Sequence, residues 1–403
     1  MSRRLDVLVE GQKVGILEQN RDAEYAFRYD RNVQRKNIVS LTMPMGLEWG
    51  GFQMLHPPFQ MNLPEGALLE IIRHHLGKVL PVQDDFDLLR ITGRMTIGRV
   101  SFVDPDTPSS GENDRSVLPW LDSEDARDLV MEFIDRSEGV FGISGAMPKV
   151  LTNLSAPLSL HGPLSFPSDY SIVKVETRDF PGIALVEHLC LNVARFAGLG
   201  TTSHQLSRDG RVLVVERFDL SEAKSGARTG FEDACALSGL HRSGKYQGSA
   251  TMLVEMLRNF CPPETVEKDK RTLFKMIVVN TLIRNGDAHL KNFGLLYGDP
   301  GYPFLAPAFD LVTTTIWLKK DLPALSLTPG GPKAWPNCQE LYSFGASIGL
   351  SKEETRGAME ESMNAVESVL SDFLAMKETY PHFSEMIDQL EAQWKDGLFK
   401  TGN

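Results

Sequence analysis

The eight residues Asn285-Gly-Asp-Ala-His-Leu-Lys-Asn292 put an acid, an imidazole, an amine and a carboxamide into one short stretch, followed by a strand-like Phe293 to Tyr297. Phosphoryl transfer asks for such a set: a carboxylate to orient the attacking hydroxyl and take its proton, and an oxygen ligand for magnesium on the same rigid loop. Asp287 and Asn292 stand five apart, and Lys291 is a cation that can neutralise a moving phosphate. A polar turn around a buried His289 would use the same residues, so the loop needs support from elsewhere in the chain.

Support comes from both sides. Pro307-Ala-Phe-Asp310 supplies a second acid 23 residues beyond Asp287. Magnesium keeps several of its waters, so Asn292 and Asp310 would suffice as its protein ligands. Upstream, Ile172-Val-Lys-Val175 sets one lysine in an apolar strand. Such a lysine is either paired, with a phosphate and with Glu187 on the next helix, or faces solvent on the strand's other side. Val215-Glu-Arg-Phe-Asp219 follows, with a backbone that can hydrogen-bond an adenine edge. Gly139-Val-Phe-Gly-Ile-Ser-Gly-Ala-Met-Pro-Lys149 offers backbone N–H groups to cradle phosphates. It is neither a Walker A sequence nor a GxGxxG.

These residues must be positioned by a scaffold of two characters. Residues 1–103 read as a small α/β unit: a hairpin through Val7-Leu8-Val9 and Val14 to Leu17, an alternating strand at Tyr25, Phe27 and Tyr29, and a helix from Ala67 to Leu76. Residues 104–122, rich in proline and polar residues, read as a linker. Residues 123–218 hold a helix from Glu124 to Arg136, strands at Ser171–Val175 and Arg211–Val215, and a helix from Ala184 to Phe196 between those strands. Residues 219–403 are mostly helical, with helices expected over Lys270–Arg284, stopped by Asn285-Gly286, and over Glu353–Met376, whose Met359, Met363, Val366, Leu370, Phe373 and Leu374 recur at helical spacing. The expected fold class is α+β: a β-rich half joined near residue 217 to a helical half, the outline of a bilobed phosphotransferase.

Composition removes other classes. Of 403 residues, 42 are Lys or Arg and 53 are Asp or Glu, a net charge of −11. Phosphate affinity comes from clustered cations, so the acidity does not by itself make a nucleic-acid binder. No stretch approaches the ~18 apolar residues of a membrane span, and Asp6 interrupts what would be a signal peptide's apolar core. The four cysteines form no CxxC pair, which argues against a disulfide framework or a clustered zinc site. His74 and His75 are adjacent, and His161, His188, His204 and His241 are isolated. No Gly-x-Ser-x-Gly suggests a serine hydrolase. A cytoplasmic protein without membrane attachment is expected.

Taken in order, SLTMPM, NLPEG and FDLLRITGRMTIGRVSF, then SGAMPK, SIVKV, VVERFD, KYQGS, NGDAHLKN with FGLLY, PAFD and ALSL resemble the HipA family of toxin serine/threonine kinases. The resemblance runs nearly end to end. It implies a two-lobed protein-kinase-like fold with an extra N-terminal subdomain, use of ATP and Mg2+, and a small helix-turn-helix antitoxin of the HipB type, through which operator DNA would mainly be contacted. It further implies that Asp287 is the catalytic carboxylate, that Asn292 and Asp310 bind magnesium and that Lys174 reaches the phosphates. Ser144, Gly145, Ala146, Met147, Pro148 and Lys149 would form the phosphate loop, Glu216, Arg217 and Phe218 would bind adenine, and His289 and Lys291 would line the nucleotide site. Targets in the family include aminoacyl-tRNA synthetases, whose inactivation slows translation and favours persistence. The chain departs from the family's Ser-x-x-Gly-Ala-Gln-x-Lys loop, where the serine is used for autophosphorylation. Here that position is Gly142 and the glutamine is Met147, which leaves Ser144 as the autophosphorylation candidate. Two other readings stay open: a catalytically weak co-repressor of an antitoxin, and a small-molecule phosphotransferase.

Overall fold

A computed structural model describes residues 3–66, 82–94, 96–106, 121–129, 164–167, 171–220 and 228–402, together with Leu69 and Ile72. All of the expected helix at 67–76 but Leu69 and Ile72, most of the 104–122 linker, the phosphate loop and most of the 124–136 helix therefore lie outside the described residues.

The N-terminal unit is a five-stranded antiparallel sheet. Its strands β1 (Arg3–Val9), β2 (Gln12–Gln19), β3 (Tyr25–Tyr29), β4 (Trp49–Phe52) and β5 (Val100–Val103) lie in the order β4-β3-β2-β1-β5. Glu10 and Gly11 both take positive φ, giving the two-residue turn whose twist suits a hairpin. Leu5, Val7, Val9, Val14, Leu17, Tyr25 and Phe27 face one side and are buried. Two helices, α1 (Pro57–Gln60) and α2 (Asp85–Thr92), pack on that side, with Phe59 and Phe86 among its largest buried side chains.

A second antiparallel sheet has the order β6-β7-β9-β8, from β6 (Leu164–Pro167), β7 (Ser171–Val175), β8 (His204–Leu206) and β9 (Val212–Glu216). Both faces of its central strands are used, which explains why β9 reads Val-Leu-Val-Val before Glu216. Val173, Val175, Val212 and Val214 belong to the core of the N-terminal unit, whereas Leu213 and Val215 pack with α3 (Ile183–Phe196) in the core of the helical region. Opposite register places Ile172 against Val215 and Lys174 against Leu213, on that second face.

The helical region carries a three-stranded sheet, β10 (Gly230–Asp233), β11 (Gly294–Tyr297) and β12 (Phe304–Leu305), and the helices α4 (Ala234–Leu237), α5 (Ala250–Phe260), α6 (Pro263–Leu282), α7 (Cys338–Ser347), α8 (Lys352–Leu370), α9 (Phe373–Thr379) and α10 (Ser384–Gly402). Helix α6 starts at Pro263, two turns before the expected Lys270, because its first turns are polar and its proline occupies the N-terminal position that tolerates one. It stops at Leu282. Arg284, rather than Asn285-Gly286, takes the left-handed conformation after it, held by Asp396 at 3.0 Å and stacked over the Trp335 ring. The expected helix over Glu353–Met376 is two helices. The chain breaks at Ser371-Asp372, where the Asp372 N–H bonds back three residues to Val369. The break turns Phe373 onto Trp394 and leaves Leu374 exposed, a phase change that periodicity cannot register.

Buried polar contacts fasten the N-terminal unit to the helical region. Glu232 of β10 accepts from Ser40 Oγ at 2.5 Å, the Leu41 N–H at 2.7 Å and Tyr297 Oη at 2.7 Å. The Arg99 guanidinium lies over the Tyr297 ring and donates to the Ile38 and Gly298 carbonyls. At the junction of the two halves, Arg217 pairs with Asp219 at 2.6 Å with both side chains buried, while Arg217 donates to the Thr96 carbonyl and Asp219 accepts from the Gly98 N–H. Removing one member of a buried pair strands the other's charge. Asp219→Ala should therefore lower stability by about 3–5 kcal/mol in urea unfolding, well beyond the effect of removing an exposed acid such as Glu18.

Candidate active site

Between the second sheet and the helical region lies a cleft of about 990 Å³, lined above by Ile172, Lys174, Val215 and Phe218 and below by Asn285, Asp287 and Asp310. Strand alternation determines what enters it. With Val173 and Val175 committed to the core on one face, Ile172 and Lys174 must point from the other into the cleft.

Lys174 Nζ lies 2.5 Å from Glu187 Oε1 and 2.6 Å from Asp310 Oδ1. Burial alone would discharge such a lysine, but the facing carboxylates of Asp310 and Glu187 hold its pKa above the ordinary value. Glu187, in the second turn of α3 and 2% exposed, is pushed up to about 7 by burial against the opposing pull of Lys174. Asp310 shows the reverse balance. Burial opposes its charge, yet Lys174 and the Asn292 amide keep its carboxyl below the usual range.

Asp310 is held in place by local strain and packing. Its φ of +57° is one that non-glycine residues seldom adopt. The preceding Phe309 anchors the turn against Phe218 and Phe231, with ring centroids 5.0 and 5.9 Å away. Asn292 Nδ2 donates to Asp310 Oδ2 at 2.5 Å, and its Oδ1 accepts the His289 N–H. Asp310 is thus met by the amide nitrogen, while the Asn292 oxygen stays with the His289 N–H. A carboxylate and a carboxamide oxygen are hard donors of the kind magnesium accepts, and a turn of the Asn292 amide would bring both to one ion.

Asp287 stands at the cleft mouth. Asn285 Oδ1 accepts its N–H, and Tyr246 Oη donates to its Oδ1 at 2.8 Å. Its surroundings hold its carboxyl at about 6, desolvation outweighing the hydrogen bond from Tyr246. Gly286 is tight against Thr314 and Asp321, so a side chain there would collide with both. Lys291 reaches the cleft wall but is paired with Glu65 at 2.6 Å, and Lys245 takes the other oxygen of Glu65 at 2.8 Å. Against the pull of burial, these two cations bring the Glu65 carboxyl down to about 2.

Two residues expected at the nucleotide turn their side chains elsewhere. The Arg217 side chain is committed to Asp219 and Thr96, although Glu216 and Phe218 on either side line the cleft. His289 is buried with its ring edge-on to Tyr246, and burial takes its pKa down to about 4. Ser144, Gly145, Ala146, Met147, Pro148 and Lys149 lie outside the described residues. Sequence reasoning did not single out Tyr246 or Glu65 as site residues. Their signals were the KYQGS and NLPEG segments, 41 and more than 200 residues away from the loop they touch.

Residues 141–370 match the family model described as the HipA-like C-terminal domain, and residues 5–103 match the HipA N-terminal domain. Among curated relatives, "Putative kinase Y4dM" of Sinorhizobium fredii is 25% identical, with 96% of this chain and 95% of that protein covered. "Putative kinase Y4mE" of the same organism is 29% identical over 78% of each. Among solved structures, a chain in the Shewanella oneidensis MR-1 toxin–antitoxin complex of HipA, HipB and operator DNA superposes with a TM-score of 0.69, at 19% identity, over 97% of both chains. That likeness is one of fold. Among the described residues no helix is long and apolar enough to cross a membrane.

The cleft's central pair yields a measurable outcome. Lys174→Met removes the cation that opposes protonation of Glu187, so the Glu187 carboxyl should move above about 7 and be largely neutral at pH 7. Infrared difference spectra against Glu187→Gln in the same background should show a protonated-carboxyl band at neutral pH that is weaker in the wild type.

Proposed function

The chain belongs to the HipA family, and from that membership and the geometry of the cleft we propose that it is a toxin kinase, transferring the γ-phosphate of ATP to a serine or threonine hydroxyl of another protein. The observation that carries this reading is the convergence of Lys174, Glu187 and Asp310 in the cleft that Asp287 also lines, with Asn292 bonded to Asp310 from behind. Lys174, oriented by Glu187, meets the phosphates. Asp310 and Asn292 would hold magnesium, which would supply neutralising charge for the phosphates. Asp287 orients the acceptor hydroxyl and accepts its proton, a role suited to a carboxyl near 6. Glu216 and Phe218 border the adenine, with the chain's backbone at the junction offering the hydrogen bonds.

The partner is a HipB-like helix-turn-helix antitoxin, in keeping with the Shewanella complex. With a net charge of −11 on this chain, the antitoxin supplies most contacts to operator DNA. The acceptor protein belongs to the translation apparatus, an aminoacyl-tRNA synthetase being the class the family resemblance offers. Restraint comes from the antitoxin and from autophosphorylation of Ser144, whose phosphate would repel that of bound ATP.

Two measurements test this. Asp287→Ala and Asp310→Asn should each cost about a hundredfold or more in transfer rate, abolish growth arrest on expression, and remove the wild-type phosphosites from the cell's phosphoproteome. Undiminished arrest in both folded variants would overturn the kinase reading. Mass spectrometry of the 137–149 peptide after incubation with ATP should find phosphate on Ser144 in wild type and none in Asp287→Ala; an unmodified peptide from an active enzyme would leave restraint to the antitoxin alone.

A further inference from the structure

Tyr246 ends a short 3-10 turn, Arg242–Tyr246, that the N-terminal unit fastens in place. Arg242 pairs with Asp85 at 2.7 Å and Lys245 with Glu65 at 2.8 Å. From the opposite side Lys333 Nζ donates to the Tyr246 carbonyl at 2.9 Å, and the tyrosine ring rests edge-on against His289. Held in this way, a half-exposed phenol lines the cleft and donates a hydrogen bond to Asp287 Oδ1 at 2.8 Å.

On the kinase reading, the acceptor hydroxyl must make that same bond to that carboxylate. We propose that Tyr246 is a resident stand-in for the acceptor hydroxyl, covering Asp287 until an acceptor displaces it and so setting which acceptors are phosphorylated. The stand-in is an aromatic alcohol and a poor mimic of water. It occupies Oδ1 of a base that is otherwise open to solvent, so water must compete with the phenol for that oxygen, which suppresses wasteful hydrolysis of ATP. A serine or threonine succeeds only when the rest of its protein contributes the binding energy to move a phenol aside. The proposal rests on the kinase reading and adds to it a determinant of specificity outside the DxxxxN loop.

The groups facing the Asp287 carboxyl are Tyr246, Asp310, Lys245 and Asp321. Of these, Tyr246 stabilises the ionised form through a donated hydrogen bond, so deleting its hydroxyl must raise the Asp287 pKa above about 6.

The test uses the purified full-length chain and Tyr246→Phe, which keeps the ring and removes only the donor. With ATP and magnesium, ADP release without an acceptor should rise about five- to tenfold, the effect of losing one competing hydrogen bond. With myelin basic protein as acceptor, KM should fall by a similar factor while kcat changes little. In nucleotide-free protein, the ¹³C resonance of the Asp287 carboxyl should titrate at a higher pH in Tyr246→Phe than in wild type, a readout independent of catalysis. Asp287→Asn should be silent in both assays. If Asp287→Asn is silent but Tyr246→Phe matches wild type in ADP release and KM, or loses kcat with KM unchanged, the stand-in role is overturned and the kinase reading stands. Phosphate appearing on Tyr246 itself would also overturn it. If all three proteins release ADP at one rate, the kinase reading fails and takes the stand-in with it.

Discussion

One lysine, shared between two acids, organises this molecule. Lys174 is brought to the cleft by a strand whose other face is committed to a hydrophobic core, so the side chain has nowhere else to point. A cation in that position is tolerable only because Glu187 and Asp310 meet it from two different elements, one from the helix beneath the sheet and one from a strained turn after β12. The same contacts define the distance between the sheet and the helical region. The ion pair is thus both an electrostatic necessity and the ruler that sets the width of the cleft.

The carboxylates around this lysine are chemically alike and electrostatically unlike. Asp310 lies beside a cation and an amide and stays ionised far below neutrality. Asp287, edged by protein on one side and open to the cleft mouth, titrates near 6, and Glu187, fully enclosed, near 7. Environments that drive titratable groups apart let them divide the work of charge binding and proton acceptance. Burial raises all three, and the cations and hydrogen bonds that meet each carboxyl, more than any change of residue type, separate them here.

Much of this was legible in the sequence, for reasons that can be stated residue by residue. Asp287, Asn292 and Asp310 stand out because polar groups at short spacing before and after a strand have few structural uses. Lys174 stands out because an amine inside a β-branched strand demands a partner, and Glu187 was within reach on the next helix. In the N-terminal sheet β1 and β2 follow from the hairpin pattern and β3 from the alternation of Tyr25, Phe27 and Tyr29, whereas β4, with no alternation of burial, was not legible. Less legible was everything decided by packing between distant segments. Nothing local tells Tyr246 that its hydroxyl will meet Asp287, or tells Lys291 that Glu65 will come from the N-terminal unit. At Arg217 only the backbone can serve the cleft that its neighbours line, since its side chain is captured by Asp219. The break at Ser371 was hidden for a similar reason, because Phe373 leaves the helical phase to reach Trp394.

The N-terminal unit touches both of the bodies that form the cleft. It shares a core with the second sheet through Val173, Val175, Val212 and Val214, and it is bonded to the helical region through Glu232, Arg99, Arg242 and Glu65. Two rigid bodies joined at one junction form a hinge, but three bodies joined pairwise form a triangle, and a triangle of fixed sides has no internal rotation. Swinging the sheet away from the helices would shear the valine core or pull all four polar joints at once. The architecture is a truss rather than a jaw, and passage into the cleft is left to individual side chains and segments at its mouth.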